Sequence, residues 1–267
     1  MSYFEEKLPS NSHKRIQCKE YSVADAITVS SMNPKLVERF TSKFLEVIQT
    51  GQDIVNPKME MTVHDRKSLV FKFALASIEA DELNTEESYN VENCHHCGGS
   101  HEFRLSIVDF QKAAKSIIRN EPTEVLTEYR GQRLKITPML GTHAEALERF
   151  ENTLASLEKK HGEDSDEYQK VRADRDMYEL LCQFETVNED ENKKDSSKQA
   201  EKDKAWLHSL PPKSLPELKN LIAVKQEEIK HGIDFRHTFY CPEAKDEKEG
   251  PVVVMLPFRL EDLISRI

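Results

Sequence analysis

The chain has 267 residues, and its 38 Lys and Arg against 48 Asp and Glu leave a formal net charge of −10. Hydrophobic residues make up 37% and charged residues 32%, a polar composition that predicts long exposed helices or unstructured stretches. A membrane or exported protein is not expected, because no apolar run approaches the ~20 residues that span a bilayer and the N-terminus lacks a signal peptide.

The acidic balance and the glycines exclude further classes of protein. A net charge of −10 disfavours nonspecific binding to nucleic acid, which requires surplus Lys and Arg. The 8 glycines form no G-x-G-x-x-G, phosphate loop or G-x-S-x-G motif, so a nucleotide-dependent enzyme or a serine hydrolase is not expected.

The first part of the chain predicts a β-hairpin followed by helices. Two extended segments flank a turn that begins at Pro9. Asn33 and Pro34 are typical of a helix start, and an apolar stripe continues from there to Thr50. A second and more buried helix is predicted from His64 to Ala80, because its apolar residues lie on more than one side.

The remaining chain alternates short strands with helices. The predicted elements are a strand at 101–108, a helix at 109–120, a strand at 132–139, a helical hairpin at 142–185 broken at His161-Gly162, a solvated linker or fraying helix at 188–204, a helix from Ser214 to Gly232, strands at 235–240 and 251–258, and a terminal helix at 260–267.

These patterns predict an α+β fold that is mostly helical. Small antiparallel β-hairpins surround a zinc-ribbon-like knuckle, and a charged helical hairpin is inserted between its halves. Three segments follow from this: 1–140 with the first half of the knuckle, 141–204 with the insertion and the linker, and 205–267 with a helix and the hairpin that completes the site.

The strongest chemical signal is Cys94-x-x-Cys97 followed by Gly98-Gly99. Two thiolates at this spacing can bind one Zn²⁺ from a tight turn, and a structural zinc site requires four ligands. The best candidate for the second half is His237-x-x-x-Cys241, at the end of one predicted strand. The predicted centre is therefore a structural Zn²⁺ held by Cys94, Cys97, His237 and Cys241.

Other interpretations of these residues stay open. His95, His96 and His101 are rival ligands, and a Cys-x-x-Cys pair can instead be a redox pair. Cys18 and Cys182 lie in apolar sequence and are interpreted as ordinary buried thiols, with Cys18 a reserve ligand. A catalytic zinc is disfavoured because the chain has no H-E-x-x-H motif and no other spacing that specifies a general base.

The order of these features resembles the baseplate hub and hub-assembly proteins of T-even-like bacteriophages. Those proteins open with a short Leu-Pro-(small residue) hairpin, which Leu8-Pro9-Ser10 matches. They have a Cys-x-x-Cys-Gly knuckle near the middle, matched by Cys94 to Gly98, and a later His/Cys pair, matched by His237 and Cys241. The resemblance covers most of the chain in order and motifs, although the segment 142–204 is longer and more charged than the family implies.

The resemblance implies a non-enzymatic role in building the hub of a contractile phage tail. Such a protein acts as a hub component or a chaperone-like assembly factor, beside other hub proteins and the tape-measure protein. It works in the cytoplasm of the infected bacterium, and a hub subunit stays in the tail baseplate of the virion. The alternative is a zinc-ribbon nucleic-acid-binding protein, which would need a basic face near the knuckle, where the charges are mixed.

Overall fold

The computed structural model describes residues 4–31, 36–77, 86–121, 123–187, 196–244 and 251–255. The fold is α+β, with many helices and antiparallel sheets of two or three strands, as the sequence predicts. In the described residues the α-helices are α1 (Val23–Ser30), α2 (Val37–Ile48), α3 (Val63–Ser77), α4 (Ile107–Lys115), α5 (Gly141–His161), α6 (Asp166–Leu181), α7 (Ser196–Ser209) and α8 (Leu215–Glu228). The strands are β1 (Phe4–Leu8), β2 (Asn11–Cys18), β3 (Gln49–Thr50), β4 (Glu86–Val91), β5 (His101–Ser106), β6 (Val125–Tyr129), β7 (Gln132–Ile136), β8 (Phe184–Val187), β9 (Arg236–Tyr240) and β10 (Pro251–Met255).

The chain divides into two compact units, each built from two separate stretches. The first unit combines Met1–Arg66 with Arg119–His231, and the second combines Lys67–Ile118 with Gly232–Ile267. These units do not coincide with the three segments predicted from the sequence. The two units depend on which distant stretches pack together, whereas the predicted segments are consecutive stretches divided by the two halves of the knuckle and the charged insertion between them.

The first unit begins with the predicted N-terminal hairpin, to which β3 adds a third strand. Burial alternates along β1 and β2, as expected for strands with one face toward a core. Leu8 and Ile16 lie on the inward face and are almost fully buried. In α2, Phe44 is fully buried and its ring lies 5.2 Å from that of Tyr21.

The other sheet of the first unit has the order β6-β7-β8 and holds the main apolar core. Its first hairpin turns at Arg130 and Gly131, whose φ angles of +52° and +79° match the type I′ turn preferred between twisted strands. The predicted helical hairpin is confirmed as α5 and α6, with Gly162 following α5. The buried core residues come from this sheet, α6, α7 and α8 and its C-terminal end: Leu134, Ile136, Leu180, Phe184, Leu207, Leu218, Ile222 and Ile229.

Part of the predicted charged linker is the ordered helix α7. Gln199, Asp203 and Leu207 recur at a spacing of four residues and form its inward stripe, in which Asp203 and Leu207 are buried. The Asp203 carboxylate accepts hydrogen bonds from the amide and hydroxyl groups of Thr186, at 2.8 and 2.7 Å. The sequence pattern does not indicate this stripe because two of its three members are polar, and only a hydrogen-bond partner from elsewhere in the fold makes their burial favourable.

Three other predictions fall on residues outside the described ranges. These are the helix start at Asn33-Pro34, the first part of the linker at 188–195 and the terminal helix at 260–267.

A buried polar network marks the beginning of α3. Thr62 and Asp65 form a capping box, in which the Asp65 amide donates to Thr62 Oγ1 and the Thr62 amide donates to Asp65 Oδ2, each at 3.0 Å. Asp65, which is fully buried, also accepts the amide and hydroxyl hydrogen bonds of Ser10 at 2.9 and 2.5 Å. Thr62 Oγ1 lies 2.6 Å from Nε2 of buried His231. The network therefore joins three distant stretches of the first unit.

The backbone of Gly141, the first residue of α5, is closely packed against other residues of the first unit. A Cβ atom at this position would lie 2.5 Å from the carbonyl oxygen of Pro57 and 2.7 Å from Nη1 of Arg66. The Arg66 side chain is 1% exposed and its Nη1 lies 3.1 Å from the carboxylate of Glu38. Position 141 therefore requires glycine for steric reasons, because the buried Arg66 side chain lies between Gly141 of α5 and Glu38 of α2.

The second unit contains the hairpins β4–β5 and β9–β10 together with α4 and most of α3. A small apolar cluster of buried Phe71, Ala114 and Ile233 packs with Phe110 and Phe235. Because two-stranded hairpins are marginally stable alone, the two hairpins require further contacts, and these converge on the cysteines.

Candidate metal centre

The knuckle between β4 and β5 is a tight turn that directs two cysteines to one side. The Cys94 amide donates to the Gly99 carbonyl at 2.8 Å, and the Gly98 amide donates to the Cys94 carbonyl at 2.7 Å. Gly98 has a φ of +71°, a conformation that glycine adopts without steric cost. The Cys-x-x-Cys-Gly sequence therefore closes a turn that brings Cys94 and Cys97 together.

His101 follows this turn directly as the first residue of β5. Alternation along the strand places His101, Phe103 and Leu105 on its more buried face. The Nε2 atom of His101 lies 3.0 Å from Sγ of Cys97. The short connection from the knuckle into the strand thus supplies a third donor close to the first two.

Cys241 reaches the same place from the far end of β9. In β9 the side chains of His237 and Phe239 are the less exposed ones, and the Phe239 ring stacks on that of Phe103 with centroids 4.2 Å apart. This stacking aligns the two hairpins, and Cys241 Sγ then lies 3.4 Å from His101 Nε2.

The four donors form a compact group. The three Sγ atoms and the His101 nitrogen all lie within 4.8 Å of one another. A tetrahedral zinc ion with Zn–S of about 2.3 Å and Zn–N of about 2.0 Å separates its donors by about 3.5–3.8 Å. The group can therefore hold one metal ion after small side-chain adjustments, and it contains no carboxylate.

The electrostatics of the sulfurs favour a cation. Amide hydrogen bonds from His96 and Cys97 lower the pKa of Cys94 in spite of its burial. At Cys97 the Gly99 amide acts in the same direction, but burial and the neighbouring sulfurs of Cys241 and Cys94 raise its pKa overall. The thiolate form is thus favoured more at Cys94 than at Cys97, and several negative charges in one cluster require a positive ion beside them.

The structure brings together three of the four predicted ligands, Cys94, Cys97 and Cys241, but places His237 outside the group. His237 lies four residues before Cys241 on an extended strand. Because a strand rises about 3.3 Å per residue, the two residues are about 13 Å apart along the chain. Its ring instead packs 4.7 Å from that of Phe239. A His-x-x-x-Cys pair would share a site on a helix, where residues four apart are neighbours.

His101 was a rival ligand in the sequence, and the other two rivals lie elsewhere. His95 and His96 are exposed, with ring centroids 3.9 Å apart, and His96 Nε2 lies 3.2 Å from the carbonyl oxygen of Pro251. The signal that identifies His101 is its position at the start of the strand that leaves the knuckle. A residue there stays beside the turn, whereas a residue inside the turn can point outward.

The two remaining cysteines are ordinary thiols, as interpreted from the sequence. Burial raises the pKa of Cys18 to about 12 and that of Cys182 to about 11. Both are therefore protonated at neutral pH, and neither belongs to the cysteine group.

Comparison with known proteins adds no identification, since no family model, no curated protein and no solved structure matches the chain. Among the described residues, no helix is both long enough and apolar enough to cross a membrane. The inferences about function therefore rest on the sequence and on the cysteine and histidine group itself.

Proposed function

We propose that this chain is a non-enzymatic scaffold protein whose Cys94, Cys97, His101 and Cys241 hold a structural zinc ion. The observation that carries the proposal is the closed group of three sulfurs and one imidazole nitrogen within 4.8 Å. Sulfur and nitrogen donors at this separation are typical of structural zinc, while a catalytic zinc keeps an open position for water or substrate.

The zinc would act as a clamp between two hairpins. Cys94, Cys97 and His101 belong to the β4–β5 hairpin, while Cys241 follows β9, and the two hairpins form separate sheets. The apolar cluster between them is small and consists of buried Cys94, Cys241 and Val252 with a few partly buried neighbours. Metal coordination would therefore supply much of the free energy that holds the hairpins together.

The biological role that we propose follows the family resemblance. A chain with the Leu8-Pro9-Ser10 hairpin, the Cys-x-x-Cys-Gly knuckle and a late cysteine would serve as a baseplate hub component or hub-assembly factor of a contractile-tailed phage. Its partners would be other hub proteins and the tape-measure protein, in the cytoplasm of the infected bacterium. The zinc clamp would give the protein a rigid surface on which those partners assemble.

The metal proposal is tested by measuring the metal content of purified protein by mass spectrometry. We expect one zinc per wild-type chain, with loss of zinc in His101→Ala and in Cys241→Ser. The matched control is His237→Ala, which removes a histidine from the strand that precedes Cys241, and this variant should keep its zinc. A wild-type protein free of zinc under reducing conditions would contradict the proposal, as would zinc lost from His237→Ala but kept in His101→Ala.

The assembly role is tested separately, by tail assembly in cells that express the phage structural genes with and without this chain. We expect fewer complete contractile tails when the chain is omitted. Mass spectrometry of the finished tails then distinguishes a retained hub subunit from an assembly factor that leaves. An undiminished yield of tails without the chain would refute the assembly role and leave the zinc proposal standing.

A further inference from the structure

The three cysteines of the metal centre differ in exposure. The side chains of Cys94 and Cys241 are 2% and 4% exposed, whereas Cys97 is only partly buried. Oxidants attack cysteines according to their thiolate character and their access to solvent. In a zinc-bound centre all three cysteines would be thiolates, so access decides between them, and Cys97 is the least buried of the three.

We propose that the centre is a redox-releasable clamp, in which a peroxide oxidises Cys97, Cys94 closes a disulfide with it and the metal leaves. The inference rests on the proposed zinc centre and adds its regulation. It assigns different parts to the three sulfurs: Cys97 is oxidised, Cys94 resolves, and Cys241 is released.

The chemistry takes two steps and consumes one peroxide. The Cys97 thiolate sulfur attacks an oxygen of hydrogen peroxide, the O–O bond breaks, and a sulfenic acid forms while the departing hydroxide takes a proton to become water. The Cys94 thiolate then attacks the sulfenic sulfur, the S–S bond forms, and hydroxide leaves and is protonated. In sum, two thiolates, one hydrogen peroxide and two protons give one disulfide and two waters.

Cys94 is the resolving partner because it shares a turn with Cys97. The hydrogen bond from the Gly98 amide to the Cys94 carbonyl spans that turn, so the two sulfurs stay close without help from a metal. Cys241 lies on the other hairpin, and no β-sheet pairing joins β9–β10 to β4–β5 in the described residues. Once two of the four ligands are tied in a disulfide, the metal coordination that joins Cys241 to the β4–β5 hairpin is lost, and only the apolar contacts between the hairpins remain.

Oxidation should therefore loosen one part of the second unit. The cluster of Cys94, Cys241 and Val252 depends on the centre for its cohesion. The apolar cluster around Phe71 and Ile233 contains no metal ligand. We expect the two hairpins to separate while this second cluster stays folded.

The first experiment follows zinc and thiols together in full-length Cys18→Ser/Cys182→Ser protein, whose three remaining cysteines are those of the centre. Hydrogen peroxide is added in the presence of a chromogenic zinc chelator, and disulfides are mapped by mass spectrometry of peptides. We expect loss of the bound zinc with formation of a Cys94–Cys97 disulfide, and full rebinding after reduction and addition of zinc. Brief alkylation of the zinc-loaded protein with N-ethylmaleimide should label Cys97 before the other two.

A second variant separates oxidation at Cys97 from general damage. Cys97→His replaces the attacking sulfur by a nitrogen donor, so the zinc that this variant binds should withstand a peroxide dose that empties the parent protein. Hydrogen exchange should show faster exchange in the two hairpins after oxidation and unchanged protection around Phe71.

The outcomes distinguish this inference from the zinc proposal beneath it. Reduced protein without zinc overturns the structural centre itself. Zinc that binds but stays bound under peroxide overturns the redox inference alone, as does labelling of Cys94 or Cys241 before Cys97. A disulfide formed only between Cys97 and Cys241 would overturn the assignment of Cys94 as the resolving thiol.

Discussion

Replacement of Asp65 by alanine tests how much the buried polar network contributes to the first unit. The carboxylate accepts hydrogen bonds from the amides of Ser10 and Thr62 and from both hydroxyl groups. Loss of the helix cap costs about 1 kcal/mol, and each buried donor left without a partner costs about 1–3 kcal/mol. The two hydroxyl groups can rotate to other acceptors, so the cap and the two unpartnered amides remain, and we expect Asp65→Ala to lower the free energy of unfolding by about 3–7 kcal/mol.

The assay is urea denaturation followed by the fluorescence of Trp206, the only tryptophan of the chain. Its ring packs 5.4 Å from that of Phe184 in the core of the first unit, so it reports on the unit that contains Asp65. The matched control is Asp25→Ala, which removes the same position of the capping box of α1 and should cost about 1–2 kcal/mol. Equal losses in the two variants would refute the reasoning, since the network would then stabilise no more than a simple cap.

Three further predictions concern the first unit and use the same urea titration. Leu134→Ala, at a side chain that is 0% exposed, should cost about 2–5 kcal/mol, while Leu126→Ala, 55% exposed in the same sheet, should cost less than about 0.5 kcal/mol. Gly141→Ala should cost about 3 kcal/mol because its Cβ would lie 2.5 Å from a backbone carbonyl oxygen, against about 1 kcal/mol for Gly131→Ala, where nothing lies within 4 Å. Equal effects within either pair would contradict the packing described here. For Asp25, burial acts to raise the pKa, but hydrogen bonds from neighbouring lysine and serine side chains lower it overall from 3.8. The ionised carboxylate therefore stabilises the fold above that value and loses its effect as the pH falls through the lowered pKa, so the stability difference between wild type and Asp25→Asn should be largest near neutrality and should shrink as the pH falls below 3.8.

Features encoded over a few neighbouring residues could be predicted from the sequence. The α5–α6 hairpin was recognised from its two apolar stripes and the break at Gly162, and the knuckle from Cys-x-x-Cys-Gly-Gly. The N-terminal hairpin was recognised from two extended segments around Pro9-Ser10. In each case the signal is a spacing or a turn residue within one stretch of chain, and such signals act through local backbone geometry.

The choice between His101 and His237 could not be made from signals within one stretch of the sequence. Both histidines lie near a cysteine in sequence, and the His-x-x-x-Cys spacing is attractive only if the segment is helical. The stacking of Phe103 on Phe239 aligns the hairpins and brings Cys241, rather than His237, to the knuckle. That alignment depends on two strands separated by more than a hundred residues, and nothing in either strand alone specifies it.

The sequence by itself determined the class of fold, most of the helices, the first and last of the described hairpins and the Cys94-x-x-Cys97 knuckle, because periodicity, capping and the knuckle spacing are local. It did not indicate the strands β4, β6 and β8. Only the tertiary structure decided the fourth member of the candidate metal centre, the pairing of distant stretches into two units and the burial of polar residues such as Asp65 and Asp203. The physical reason is the same in all three cases. A buried polar group or a metal donor is stable only when its partner is present, and here those partners lie far away along the chain.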